Sequence, residues 1–271
     1  MPDIRKAYVD IGEGQVHYRL RPASGDHGRA IPVVFLHQTA SSGAMWEKVM
    51  HRWSGAGALY AIDTPGFGGS FDPAGTPDIT AYAGWIVETL DALGIDRAHL
   101  VGHHTGAVVA LHLAATRPDR AESLAMIGPA ALTAEERGVF ASKLGRAFTP
   151  GRSGAHLLMN WEYLRVGGAD QDLALLHREM IDMLRAWKAR PHAYSAVWAL
   201  DSTPLLHALA CPTVAIAARD DILFPYLDRL DAIRPDIARV VLEKGANFEP
   251  DLAPDALCAA LLAHIATVES T

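Results

Sequence analysis

Short apolar runs alternate with longer stretches of helical period along most of this chain. Residues 6–10 and 15–20 alternate apolar and polar, the period of two expected of half-buried strands, and predict an opening hairpin. Pro22 to Arg29 is polar and reads as a loop. Ile31 to Leu36 reads as a buried strand ending at His37, Trp46 to Trp53 as a helix, and Leu59 to Ile62 as a strand ending at Asp63. Residues 79–93 are amphipathic, Ala98 to Val101 is strand-like, Ala107 to Ala115 is apolar nearly all round, and Leu124 to Ile127 is another strand. Short apolar strands set between helices imply a mostly parallel sheet covered on both faces.

The pattern changes after Gly128. From Thr133 to Ser202 helical segments follow one another without a strand, and Leu173, Leu175, Leu176, Met180, Ile181, Leu184 and Trp187 predict one helix with a wide apolar face. The sheet resumes at Thr213 to Ala217 and Arg239 to Leu242, and a last helix runs from Pro254 to Thr267. The organisation expected is a core at 1–132, a helical insertion at 133–202, and the remainder of the core at 203–271.

The chain has 271 residues, half of them hydrophobic, with a formal net charge of −7. That length suits one α/β domain with an insertion. The negative charge favours neither nucleic acid nor an anionic membrane as partner. No apolar run reaches the roughly eighteen residues of a membrane span, and Met1 to Lys6 lacks the apolar core of a signal peptide. Cys211 and Cys258 read as buried reduced thiols, consistent with a cytoplasmic protein. Nothing in the composition sets an oligomeric state.

The chemistry concentrates at Gly102-His103-His104-Thr105-Gly106, between a strand and a helix. A nucleophile elbow has the form Gly-x-Ser-x-Gly: glycines allow close backbone approach, and the middle residue stands exposed above the first helical amides. Here His104 occupies the serine position. With Leu36-His37, Ser41-Ser42, the turn from Asp63 to Ser70 and the segment Asp221-Ile222-Leu223-Phe224-Pro225, the chain resembles the α/β-hydrolase superfamily over nearly its whole length. The resemblance implies a mostly parallel eight-stranded sheet with helices on both faces and a helical cap. His-Gln-Thr, Asp-Thr-Pro-Gly-Phe-Gly and Gly-His-His-Thr-Gly also recur together in a subgroup that this chain resembles. That recurrence points to a maintained arrangement and names no substrate.

The family orders its catalytic groups nucleophile, acid, histidine. The resemblance implies Asp221 as the acid, with Asp220 as the adjacent alternative; Asp221 can also be an inherited turn residue. The histidine position falls in Gly245-Ala246-Asn247-Phe248, where Asn247 stands instead. Asn is no base at neutral pH, so a serine-type acyl-enzyme route is closed to this chain. An oxyanion cradle is implied at the Thr105 amide and the loop His37-Gln38-Thr39. Asp63 and the glycines after it shape a turn.

His104 at a helix N-terminus favours the neutral imidazole, which can act as a general base or a nucleophile. The motif positions predict a relay of Asp221, Asn247 and His104. His37 and His103 either serve as structural hydrogen bonders under the oxyanion loop or join His104, Asp221 and Glu249 around a metal; the structural role is the expectation, with no metal. No cofactor is expected, since no dinucleotide fingerprint or phosphate loop is present. Trp46, Trp161, Tyr163, Trp187, Trp198, Phe224 and Phe248 are expected pocket walls, although the inserted aromatics can equally be core of the cap. His177, Glu179, His192 and Tyr194 are possible catalytic groups from the cap. The expected activity is hydrolysis of a small apolar or aromatic ester, lactone or C–C bond. The alternatives are lyase or isomerase chemistry, or a retired pocket that only binds.

Overall fold

The computed structural model describes residues 3–23, 30–144 and 148–270. Its strands are β1 (Arg5–Ile11), β2 (Gly14–Arg21), β3 (Val33–Leu36), β4 (Leu59–Ile62), β5 (Ala98–His103), β6 (Ala121–Ile127), β7 (Thr213–Ala218) and β8 (Ala238–Leu242). They form one sheet of eight strands in the order β1-β2-β4-β3-β5-β6-β7-β8. β2 pairs antiparallel with β1 and β4, and the other neighbours run parallel. Most of the loop expected at 22–29 lies outside the described residues.

β3 lies between β4 and β5, so the chain order reverses there. Loops leaving such a switch point diverge and open a crevice at the carboxyl ends of the strands. Both candidate oxyanion elements start at that edge, from β3 and from β5.

The strands bury themselves as the period of two requires. Along β3, Val34 and Leu36 pack with the elbow helix (Thr105–Thr116) and the helix Ile79–Ala92, while Val33 and Phe35 pack on the other face with Trp46 and Leu257. All four residues of β3 and all six of β7 are buried, because helices cover both faces.

The elbow glycines are dictated by space. A Cβ on Gly106 would lie 2.3 Å from the Leu36 carbonyl oxygen, and one on Gly102 would lie 2.3 Å from the Gly106 carbonyl oxygen. Both obstacles are backbone, so neither can turn aside as a side chain would.

Between β6 and β7 the chain forms the helices Ala134–Leu144, Ala155–Val166, Leu173–Arg185, Ala189–Ala199 and Thr203–Ala208, with no strand among the described residues. The wide apolar face expected on Leu173–Arg185 is narrower than the sequence pattern implies. Leu175, Leu176, Glu179 and Met183 are buried, whereas Leu173 is 70% and Ile181 57% exposed. The helix turns a buried carboxyl towards the sheet domain and leaves two aliphatic side chains in solvent. No helix among the described residues is long and apolar enough to cross a membrane.

Polar contacts hold this helix to the sheet domain. Ser41 donates to Glu179 Oε1 at 2.8 Å and Ser42 donates to Asp182 Oδ2 at 2.7 Å. Arg178 grips both oxygens of Asp251, at 2.8 and 2.6 Å. Burial, with Glu179 beside it, pushes the Asp182 carboxyl up to about 7.

Two measurements test these constraints. Gly106→Ala is expected to destabilise the fold by about 3 kcal/mol or more, since a backbone carbonyl must move, read as a lower urea midpoint. Asp182 holds a proton in the folded state that it releases when unfolded, so its stabilising effect is lost as pH rises from about 4 to about 7. Asp182→Asn is expected to flatten that fall, gaining roughly 2–4 kcal/mol on wild type between the two ends of the range. Equal pH dependence of urea unfolding in both proteins would contradict it.

Candidate active site

His104 stands between β5 and the elbow helix with φ 46° and ψ −108°. A non-glycine residue in such a conformation costs on the order of 1–3 kcal/mol and persists where its surroundings over-determine it. Here its N–H donates to Ile127 O at 2.9 Å and its carbonyl accepts from Val108 N at 3.1 Å. The turn is thereby tied to both β6 and the helix.

The imidazole reaches directly across to the acid loop after β7. His104 Nε2 lies 2.8 Å from Asp221 Oδ2. Gly128, at φ 57°, passes alongside this contact: a Cβ there would lie 2.2 Å from His104 Cδ2 and 2.9 Å from Asp221 Oδ2. Asp221 is buried, which raises its affinity for a proton, but contact with His104 and an N–H from Leu223 hold the carboxyl below its ordinary range.

Asn247 does not stand between these two groups. Its Oδ1 accepts from Ile222 N at 3.0 Å, and its carbonyl accepts from Gln38 Nε2 at 3.0 Å. The expected relay through Asn247 is therefore corrected. An imidazole is long enough to span from the elbow to the acid unaided, which leaves Asn247 to brace the acid loop against the oxyanion loop. Asp220 likewise takes a bracing contact, accepting from Ala246 N at 2.9 Å.

A second acid lies behind the first. Glu249 is fully buried and accepts from Ala218 N at 3.2 Å. Burial and the neighbouring Asp221 charge push its carboxyl well above the ordinary range. One negative charge is thus held on Asp221, with the proton on Glu249. Glu249 entered the sequence reading only as a metal neighbour; its distance in sequence from Asp221 concealed the pair.

His103 is buried beneath His104, its ring stacked on the other at 4.3 Å and 18°. Burial, then the neighbouring His104 and His37, lowers its proton affinity far below the usual range. Its Nε2 lies 2.8 Å from Glu249 Oε2, and its Nδ1 has no hydrogen-bond partner among the described residues. His103, His104 and Asp221 have donor atoms within 4.8 Å of one another. Near-parallel rings direct their lone pairs side by side rather than to one point, and each Nε2 already faces a carboxyl oxygen. The arrangement fits two histidine–carboxyl hydrogen bonds better than a coordination sphere.

His37 is buried too. Its Nδ1 donates to Gln38 O at 2.7 Å and its Nε2 accepts from Thr64 N at 2.9 Å. His37 and His103 therefore brace the site from below and do not line the cavity. Asp63 accepts from the amides of Gly43 and Gly69 and shapes its turn.

Above His104 lies a cavity of about 490 Å³, lined by Gln38, Thr39, Thr105, Glu179 and Asn247, by Lys143 and Glu162, and by apolar walls. Thr105 Oγ1 donates to Thr39 Oγ1 at 2.9 Å, joining the two oxyanion elements. The Thr105 amide begins a helix and so has no intrahelical acceptor. Of the expected walls, Tyr163, Trp198 and Phe248 line the cavity. Trp46, Trp161, Trp187 and Phe224 do not. Trp46 packs 4.8 Å from Phe35 on the opposite face of the sheet. Trp161 packs against the core, Trp187 is 37% exposed, and Phe224 lies under the Arg219 guanidinium. Phe140 and Met183 are walls that the sequence reading missed, since periodicity marks a buried face without saying what it faces. Of the four inserted candidates, Glu179 and Tyr194 line the cavity; His177 and His192 do not.

Comparison with known proteins fits this architecture. The family model for the alpha/beta hydrolase fold matches residues 31–248. A protein described as an uncharacterized carboxylesterase of Bacillus subtilis (strain 168) is 32% identical over 124 residues, covering 45% of this chain and 40% of that protein. The chain thus spans about two fifths of that relative's length. A pimeloyl-[acyl-carrier protein] methyl ester esterase of Aeromonas hydrophila is 27% identical over 233 residues, covering 81% of this chain and 89% of the relative. The crystal structure of an enol-lactonase from Burkholderia xenovorans LB400 superposes with a TM-score of 0.76 at 22% identity, covering 96% of this chain and all of that one, which speaks to the fold alone. Strand order, elbow and family match agree: this chain belongs to the alpha/beta hydrolase fold family.

Proposed function

We propose that the protein hydrolyses a small apolar or aromatic ester or lactone, with His104 as a general base acting on water. The observation that carries this reading is the 2.8 Å contact between His104 Nε2 and Asp221. An ionised Asp221 accepts the Nε2 proton and holds the ring in one tautomer. Nδ1, which has no hydrogen-bond partner among the described residues, is then the nitrogen that takes a proton from water. The hydroxide so formed attacks the carbonyl carbon while the Thr105 amide, with the loop at Gln38 and Thr39, receives the developing oxyanion. Serine would form an acyl-enzyme; a base at the same position makes direct attack by water the shorter route. The esterase and lactonase relatives support an acyl substrate, and the cap over the aromatic walls supports an apolar one.

Water-free proton transfer, as in a lyase or isomerase, is the second reading. It is favoured by the acid Glu179 on the same cavity. Hydrolysis in ¹⁸O-labelled water separates the two, because only hydrolysis puts the label into the acid product.

His104→Ala is expected to lower kcat/KM on 4-nitrophenyl esters by about a hundredfold or more, the usual contribution of a positioned base. Asp221→Asn is expected to lower kcat by a similar factor, because an amide can accept the ring proton but carries no charge to stabilise the imidazolium. Full activity in His104→Ala would remove the basis of the reading. Gly128→Ala is expected to reduce kcat at least tenfold with the fold retained, since its methyl would enter the His104–Asp221 contact. Circular dichroism alongside the kinetics checks the second half of that statement.

A further inference from the structure

Glu179 is a buried carboxyl on the wall of an otherwise largely apolar cavity. It is 2% exposed, and nothing in the general-base scheme above uses it. A charge-bearing group in such a place must be paired or neutral. Its Oε1 accepts from Ser41 at 2.8 Å and from Arg178 at 2.6 Å. Its Oε2 has no hydrogen-bond partner among the described residues, and the residue lines the cavity.

The surroundings divide in their effect. Arg178, on the same helix, favours the carboxylate, but it is already gripped by both oxygens of Asp251 from the short helix Glu249–Leu252 beyond β8. Asp251 opposes a second negative charge. Burial is the largest influence, and the net result raises the proton affinity of Glu179. Ser41, its other partner, belongs to the loop that carries Gln38 and Thr39. Tyr194, from the next inserted helix, donates to Thr39 O of that loop at 3.3 Å. The acid is therefore hung from the same loop that cradles the oxyanion.

We propose that Glu179 is the general acid of this site, donating its Oε2 proton to the leaving oxygen while His104 acts as the base. The inference rests on the hydrolytic reading and deepens it. Water gives one proton to His104 and its hydroxide to the acyl carbon. The carbonyl π pair moves to oxygen and returns as the bond to the leaving oxygen breaks. That oxygen takes the Glu179 proton and departs as an alcohol. The proton on His104 then returns to Glu179 through water, so the net change is ester plus water to acid plus alcohol. A separate acid frees the imidazolium formed at His104 from having to reach the leaving oxygen as well. The single histidine that serves as base and then acid in a serine mechanism is missing here.

Leaving-group dependence provides the test. A 4-nitrophenolate leaves readily unprotonated, whereas an alkoxide does not. Glu179→Gln is expected to lower kcat/KM about a hundredfold on the benzyl or methyl ester of an acid and far less on its 4-nitrophenyl ester. The aryl-to-alkyl ratio should therefore rise at least tenfold. His104→Ala should lower both esters together. Equal losses on the two esters in Glu179→Gln, or none, would overturn the proposal while leaving the base in place. A second arm needs no turnover: the infrared spectrum of wild type minus Glu179→Gln at pH 7 should show a neutral carboxyl C=O band. Its absence means an ionised Glu179 and refutes the acid role. Wild type inactive on every ester would fail the hydrolytic reading itself, and the leaving-group role would fall with it.

Discussion

The site depends on one contact, between an imidazole at the end of β5 and a carboxylate at the end of β7. β6 lies between those strands in the sheet, so the contact spans the carboxyl edge over it. That explains the otherwise costly details around it. His104 accepts a positive φ because Ile127 and Val108 hold its backbone. Gly128, where β6 ends, has no side chain because the imidazole and carboxylate occupy that space. Asp221 keeps its charge in a buried place because Glu249 behind it keeps a proton.

The arrangement can be derived from one change of size. A serine hydroxyl at the elbow would stop short of the acid and would need a histidine between. Histidine at the elbow fills that gap itself. Position 247 is then free to serve as a brace, and Asn247 does so between Ile222 and Gln38. His103 continues the pattern downward, stacking on His104 and meeting Glu249. Two histidines and two acids are thus packed together at the sheet edge, with one negative charge between the acids.

The inserted helices contribute more than a roof. The helix Leu173–Arg185 is attached by serine, arginine and carboxyl contacts as well as by Leu175, Leu176 and Met183, and two of its acids have raised proton affinity. An attachment of that kind couples the inserted helix to the loop after β3 through Ser41 and Ser42. The same contacts bring Glu179 to the cavity. Structural and chemical roles therefore meet on one short segment, and double-mutant cycles between Ser41 and Glu179 would separate them.

The local record of the chain was legible from its residues. Period-two runs marked the strands, the all-apolar β3 and β7 marked a covered parallel sheet, and the glycines around His104 marked a strand-to-helix turn. The substitutions at 104 and 247 were equally plain, because motif positions are read along the chain. What residue order could not carry was distance between parts remote in sequence. Whether the imidazole meets Asp221 directly or through Asn247 depends on side-chain reach across the sheet edge. The Asp221–Glu249 pair depends on two loops that close against each other. Which aromatics face the cavity depends on how the inserted helices roll onto the core: Trp46 ended beneath the sheet and Trp187 in solvent, while Phe140 and Met183 became walls. Sequence by itself determined the elements, the fold family and the unusual residue at the elbow, since these follow from local period and spacing. Tertiary structure alone decided the partners, because proton affinity and contact are set by neighbours that only packing brings together.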